Sequence, residues 1–143
     1  MDTLPKAIIC DLDGTLALLG KRSPYDASTA EEDSLNNPIA NILEVYSHQE
    51  TYDIKIILLT GREDKYREQT QRWLQKHNII YEELYMRRTG DRRKDTVYKK
   101  EIYQNQIEGK YDVLFVLEDR DQVVAMWRKD LGLTCLQVEY GDF

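Results

Sequence analysis

Lys6-Ala-Ile-Ile-Cys-Asp11-Leu-Asp13-Gly14-Thr15-Leu-Ala17 decides the fold: an apolar run ends abruptly in two carboxylates one residue apart, followed by glycine and threonine. A short continuous apolar run reads as a strand buried on both faces, as in a parallel sheet, and such sheets take ligands beyond the carboxyl ends of their strands. Asp11 then stands at the mouth of a crevice. A carboxylate there can attack a phosphoryl group, and a second one, Asp13, can handle the proton of the leaving oxygen. Asp-x-Asp-Gly also occurs in calcium loops, but an EF-hand needs further acids, and none follows here before Asp26. Nor is Gly14 to Arg22 a P-loop: the spacing is one residue too long, and Arg22 replaces the hydroxyl residue that would hold magnesium.

The pattern repeats outward from this stretch. Ile54 to Leu59 reads as a second buried strand running into Thr60-Gly61-Arg62, and Ile79 to Met86 as a weaker third. Val113 to Leu117 is a fourth, ending in Glu118-Asp119, and Thr134 to Val138 a fifth. Helical spacing appears between them. Asn37-Pro38 opens a helix carrying Ile39, Ile42, Leu43 and Tyr46; Tyr66, Thr70, Trp73 and Leu74 form the next stripe. A polar helix follows from about Asp95 to Gln106, and Val123, Val124, Trp127 and Leu131 make the last, closed by Gly132. Leu18 to Asn36 is irregular and reads as a loop or small flap over the first strand's end. Alternating strands and helices predict an α/β fold with a largely parallel sheet, right-handed crossovers and helices on both faces.

A length of 143 residues is consistent with one domain, residues 1–143. Twenty basic residues stand against 26 acidic ones, a net charge of −6, which disfavours a generally sticky nucleic-acid binder without excluding a local basic site. Met1 to Lys6 lacks a basic region followed by a long apolar core, so no signal peptide is expected, and no apolar run approaches a membrane span. Cys10 and Cys135 lie in apolar runs and read as buried free thiols in a reducing compartment, by default the cytoplasm.

Three strand-like runs thus end in chemistry, and parallel strands would bring all three to one edge. Thr60 can donate a hydroxyl hydrogen bond to a phosphoryl oxygen, while a lysine or arginine neutralises its charge. Asp11 and Asp119, with Glu118 nearby, offer the hard oxygen ligands that magnesium prefers, although Glu118-Asp119 could instead cap the following helix. Arg87 to Lys100 holds seven basic residues against Asp91 and Asp95, a local +5. That stretch suits either a polyanionic substrate or a solvated helix start. Asp95 and Lys99, four apart on a predicted helix, are expected to pair, the aspartate holding the amine toward the crevice.

The motif Asp11-Leu-Asp13-Gly14-Thr15 resembles the first motif of the haloacid dehalogenase-like phosphotransferases. That resemblance implies a Rossmann-like three-layer sandwich and a magnesium-dependent aspartyl-phosphate mechanism. Further blocks narrow it: Arg22-Ser-Pro-Tyr-Asp26, Thr60-Gly-Arg62, Gly90-Asp91-x-Arg93-Lys94-Asp95-x-Val-x-Lys99, Glu118-Asp119-Arg120-x-Gln-Val-Val-x-Met-Trp127-Arg128 and Gln137-Val-x-x-Gly141-Asp142-Phe143. Together they resemble the 3′-phosphatase domain of phage-type polynucleotide kinase/phosphatase, a fold with a minimal cap. The resemblance implies Asp11 as nucleophile, Asp13 as general acid/base, Thr60, Lys99 and Asp95 as phosphate-stabilising groups, and Arg22, Arg62 and Arg87 as substrate contacts. It assigns Mg2+ to Asp11, Asp13, Glu118 and Asp119. Glu118 stands where the phage pattern has aspartate, and the stretch after Arg62 is shorter. The kinase half has no counterpart in these residues, so 5′-kinase activity is not expected.

The expected function is a phosphoric monoester hydrolase that removes 3′ phosphates from DNA or RNA ends. Two alternatives stay open at this level: a phosphatase of free nucleotides or small monoesters, and a non-catalytic module that recognises phosphorylated ends. Trp127 reads as core, and His48 and His77 as surface residues without ligand partners. Tyr25 is a candidate for stacking on a base. A separate kinase or ligase partner is not legible.

Overall fold

The computed structural model describes residues 3–48 and 53–143. Strand β1 (Lys6–Cys10) is central because its residues satisfy both faces of a sheet at once. Ile8 and Cys10 point into one core cluster with Ile56, Leu58, Trp73 and Leu74; Ala7 and Ile9 point into the other with Ile57, Val116, Val123 and Trp127. The period of two that sends alternate side chains to opposite faces explains why the run contains no polar residue after Lys6.

The chain continues through β2 (Ala17–Leu18), β3 (Ser34–Leu35), α1 (Asn37–Ser47), β4 (Ile54–Glu63), α2 (Arg67–Lys76), β5 (Glu83–Arg87), α3 (Asp95–Ile102), β6 (Asp112–Glu118), α4 (Asp121–Ala125) and β7 (Cys135–Gln137). Five strands form one sheet in the order β5-β4-β1-β6-β7, every pair parallel. α1 and α2 pack on one cluster, α3 and α4 on the other. The result is an α/β Rossmann-like sandwich. From β1 the chain first builds β4 and β5 on one side, then crosses to β6 and β7 on the other. This reversal opens a crevice at the carboxyl ends of β1 and β6. The irregular stretch predicted from Leu18 to Asn36 is a minimal cap, closed at its base by the β2–β3 pair and burying Ala27, Ala30 and Asp33.

Several boundaries differ from the sequence reading for physical reasons. β4 runs on to Glu63 rather than stopping at Leu59, and its register with β5 shifts between Thr60 and Glu63. Gly61 and Arg62 occupy that bulge, so a strand end becomes a device for re-aiming a side chain. β5 begins at Glu83 rather than Ile79: Asn78 takes a left-handed conformation (φ 57°) to leave α2, and Ile79 and Tyr81 pack on the core before pairing starts. α3 stops being α-helical at Ile102 and widens to a π-turn over Tyr103–Ile107, in which Glu108 N–H donates to the Tyr103 carbonyl at 2.7 Å. α4 does the same over Met126–Asp130. His77 is not a free surface residue; it is half-buried against Trp73, with ring centroids 4.7 Å apart. Trp127 is fully buried and meets Tyr103 edge-on, and both cysteines are buried and free.

Replacing Ile8 by alanine removes a fully buried side chain between β4 and β6. The expected loss is about 2–5 kcal/mol of unfolding free energy, read as a lower urea midpoint at unchanged slope.

Candidate active site

Asp11 leaves β1 one residue past the strand, its N–H donating to the Leu117 carbonyl of β6 at 3.0 Å. Glu118 is the last residue of β6, and Asp119 follows. Ligand atoms of Asp11, Glu118 and Asp119 lie within 4.8 Å of one another, and all three residues are buried. Lys99, from α3 on the opposite core face, brings its ammonium between them, 2.8 Å from Asp11 Oδ1 and 2.9 Å from Glu118 Oε2. The Thr15 hydroxyl donates to Asp11 Oδ2 at 3.0 Å and sits 3.3 Å from Asp119 Oδ1. Gly14, at φ 84°, is needed beside it, because a β-carbon there would overlap the Asp119 carboxylate.

The electrostatics follow from burial. Desolvation first, then the charge of Glu118, pushes the Asp11 carboxyl up to about 7 despite Lys99. Burial and Asp11 likewise raise Asp119 to about 7. Burial alone would lower the Lys99 pKa, yet Asp11, Glu118 and Asp95 hold it well above the ordinary lysine value. A buried, mutually repelling set of hard oxygen donors fits a divalent cation. The Asp13 carboxylate, the fourth acid of the expected ligand set, stands outside that group. It is turned to Arg22 (Nη2–Oδ1 3.0 Å) and Arg62 (Nη2–Oδ1 2.6 Å, Nε–Oδ1 3.0 Å).

Asp33 was not singled out from the sequence, yet it organises those arginines. It takes Arg22 Nε and Nη2, each at 2.8 Å, and Arg62 Nη2 at 3.1 Å, while its backbone carbonyl accepts the Trp73 indole N–H at 2.8 Å. In Glu31-Glu32-Asp33 nothing marks the third acid. The only available signal was the need for counter-charge beside two arginines bound for the interior.

One further expectation needs correction. Asp95 does not hold Lys99: it pairs with Arg87 Nη2 and with Arg120 Nη1 (3.2 Å), because Lys99 reaches past it to the acids. Arg87 lines the crevice but is heavily engaged within the protein. It is buried, stacked over the Tyr98 ring at 4.8 Å, and donates to the Gly61 and Arg93 carbonyls at 3.1 and 2.7 Å, so it braces the basic loop. Thr60 is fully buried where the β4 bulge begins, and its Oγ1 accepts the Arg62 N–H at 3.1 Å.

The chain matches the family described as polynucleotide kinase PNKP phosphatase domain over residues 5–143. It belongs to that family. It is 34% identical over 129 residues to a protein of Autographa californica nuclear polyhedrosis virus named as a candidate bifunctional polynucleotide kinase/RNA ligase, covering 89% of this chain and 18% of the viral protein. It is 56% identical to a chain in a solved Pnkp1/Rnl/Hen1 complex, with a TM-score of 0.95 over 99% of this chain and 48% of that one. A chain in a structure described as the Pnkp1/Rnl/Hen1 RNA repair complex gives 56% and 0.94, covering 98% of this chain and 44% of that one. The chain therefore spans less than half the length of each of these relatives. Membership makes the domain a phosphatase domain of the haloacid dehalogenase-like class. Its acid group is where a metal could bind.

Because Asp11 and Asp119 titrate near 7 when folded and near 4 when unfolded, the folded metal-free domain binds more protons between those values. Its stability falls as pH rises through that window. A divalent cation takes the place of those protons, so added Mg2+ should raise the melting temperature more at pH 8 than at pH 5.5, as scanning calorimetry would record. Asp33→Asn should cost about 1–3 kcal/mol, since it removes one of the two carboxylates that Arg22 and Arg62 share and leaves Asp13 as their counter-charge. Urea denaturation gives the loss, and phosphate release from any monoester should fall with it.

Proposed function

We propose that this domain is a magnesium-dependent phosphomonoesterase that removes 3′ phosphates from nucleic-acid ends through a phosphoryl group carried on Asp11. The observation that carries the reading is the division of labour between two carboxylates separated by the single residue Leu12. Asp11 is fixed by Lys99 and Thr15 at the crevice floor, and Asp13 by Arg22 and Arg62 beside it.

In the first step an Asp11 oxygen forms a bond to phosphorus and the bond from phosphorus to the 3′ oxygen breaks, with a proton passing from Asp13 to that oxygen. In the second, Asp13 takes a proton from water, the water oxygen bonds to phosphorus, and the acyl phosphate releases inorganic phosphate and regenerates Asp11. A phosphate entering the crevice competes with Asp13 for the two guanidinium groups, which leaves Asp13 free to give and take that proton. Asp11, Glu118 and Asp119 would hold Mg2+, which offsets the charge between an anionic nucleophile and an anionic substrate. Lys99 keeps one Asp11 oxygen hydrogen-bonded and leaves the nucleophile oriented. The names of the viral relative and of the Pnkp1/Rnl/Hen1 RNA repair complex support work beside kinase and ligase activities, with RNA ends among the substrates. Among the described residues no helix is long and apolar enough to cross a membrane. We propose a cytoplasmic setting, which suits the two buried free thiols.

The test is phosphate release from one oligonucleotide carrying only a 3′ phosphate and the same oligomer carrying only a 5′ phosphate, with Mg2+ and with chelator. Selective, metal-dependent 3′ release is expected, and Asp11→Asn should abolish it at unchanged circular dichroism. Equal slow release from both ends would favour small phosphomonoesters instead, and undiminished turnover by Asp11→Asn would overturn the mechanism.

A further inference from the structure

The crevice above Asp11 has a volume of about 750 Å³ and extends well beyond a phosphate, out to Pro24 and Tyr25 on the cap and to Arg92 and Lys94 on the basic loop. The cations along it differ in what they already hold. Arg62 is taken up by Asp13 and Asp33, Arg87 by Asp95, Lys99 by Asp11 and Glu118, and Arg93 by Asp91 and Glu101. Arg120 pairs with Asp95, and Lys65 lies 3.8 Å from Glu63. Arg92 and Lys94 alone among the described crevice cations make no ion pair or side-chain hydrogen bond, and both are exposed.

Their loop is nevertheless fixed. Thr89 donates from N–H (3.1 Å) and hydroxyl (2.6 Å) to Asp64 Oδ1, and Gly90 N–H to Glu63 Oε2 at 3.0 Å. Between the two free cations, Arg93 N–H is tied to Asp91 Oδ1 at 3.0 Å and its carbonyl to Arg87. Tyr25, 84% exposed, stands on an equally ordered turn. Its N–H donates to Ser23 Oγ at 3.1 Å, and Arg22, itself bonded to Asp13, donates to the Ser23 and Asp26 carbonyls at 3.0 and 3.3 Å. A large exposed aromatic ring and two free cations are thus held on rigid backbone at the rim of one crevice.

Resting on the function proposed above, we infer that Arg92, Lys94 and Tyr25 form a track for the strand leading to the 3′ phosphate. The two cations meet backbone phosphates upstream of the scissile group, and the Tyr25 ring takes an unpaired base. The substrate is therefore a single-stranded polynucleotide 3′ end rather than a mononucleotide, because a mononucleotide has no upstream phosphate for Arg92 and Lys94 to meet. Cations along a groove combined with an aromatic face are what a flexible single strand requires.

The measurement is kcat/KM against salt for a 3′-phosphorylated single-stranded oligonucleotide, with a nucleoside 3′-phosphate as the short comparison. Arg92→Ala/Lys94→Ala should raise KM for the oligomer about ten-fold more than for the mononucleotide, and should flatten the log–log salt slope by about 1.4, or about 0.7 per lost phosphate contact. Arg88→Ala, which removes the same charge from the loop outside the crevice, is the control and should leave both unchanged. Tyr25→Ala should raise the oligomer KM about ten-fold and Tyr25→Phe should restore it, since stacking uses the ring and not the hydroxyl. The track is overturned if the double variant behaves as Arg88→Ala does, if both substrates suffer alike, or if Tyr25→Phe is as impaired as Tyr25→Ala. A native domain that releases no phosphate from the oligomer rejects the 3′-end reading itself.

Discussion

Three buried carboxylates converge at the ends of two adjacent strands, and the ammonium of Lys99 is what allows them to share that space. Asp11 and Glu118 are each within hydrogen-bond distance of it, and without a counter-ion the repulsion among the acids would oppose the β1–β6 pairing that brings them together. The lysine comes from α3, which packs on the far core face through Tyr98 and must deliver its side chain along the sheet edge. The placement of α3, the burial of Tyr98 and the stacking of Arg87 on its ring therefore all bear on one charge. Lys99 cannot be exchanged for a longer or shorter cation without moving either the helix or the acids.

A second, separate charge cluster surrounds Asp13. Two arginines and Asp33 link the cap, the bulge of β4 and the loop after β1 into one unit. The bulge matters because an unbroken strand would send residue 62 along the pleat instead of across the crevice. Keeping the two clusters apart lets adjacent acids differ in role, one embedded among carboxylates and one among guanidinium groups.

The parts of this arrangement legible in the sequence are those written as period and punctuation. Apolar runs ending in Asp11, Thr60 and Glu118-Asp119 gave the parallel sheet and the edge on which its chemistry lies. The quoted motif blocks led to the family. What was not legible depends on which partner a side chain finds in space. Lys99 and Asp95 share a helix face, so local spacing favoured their pairing, but a stronger set of acids lay a long way off in sequence. Nothing in the sequence around Arg87 announced the carbonyls of Gly61 and Arg93 that the fold places around it. Charge alone did not show which of the remaining positive residues between Arg87 and Lys100 were free, and only the fold separates those already neutralised from those left for a ligand. The strand boundaries at Glu63 and Glu83 were missed because a bulge and a left-handed Asn78 leave no mark on hydrophobic period.

The loop bearing Asp119 is closed from behind by residues much later in the chain. Gln137 Nε2 donates to the Asp119 carbonyl at 2.9 Å, Asp121 N–H donates to the Gly141 carbonyl at 2.8 Å, and Gly141 lies so close to Asp119 that a β-carbon would meet its backbone. The position of the last acid in the group thus depends on residues that lie far from it in sequence. Order at one corner of the acid group is therefore set by a segment 18 residues further along the chain, and the terminal strand acts as a brace for the site as well as an edge of the sheet.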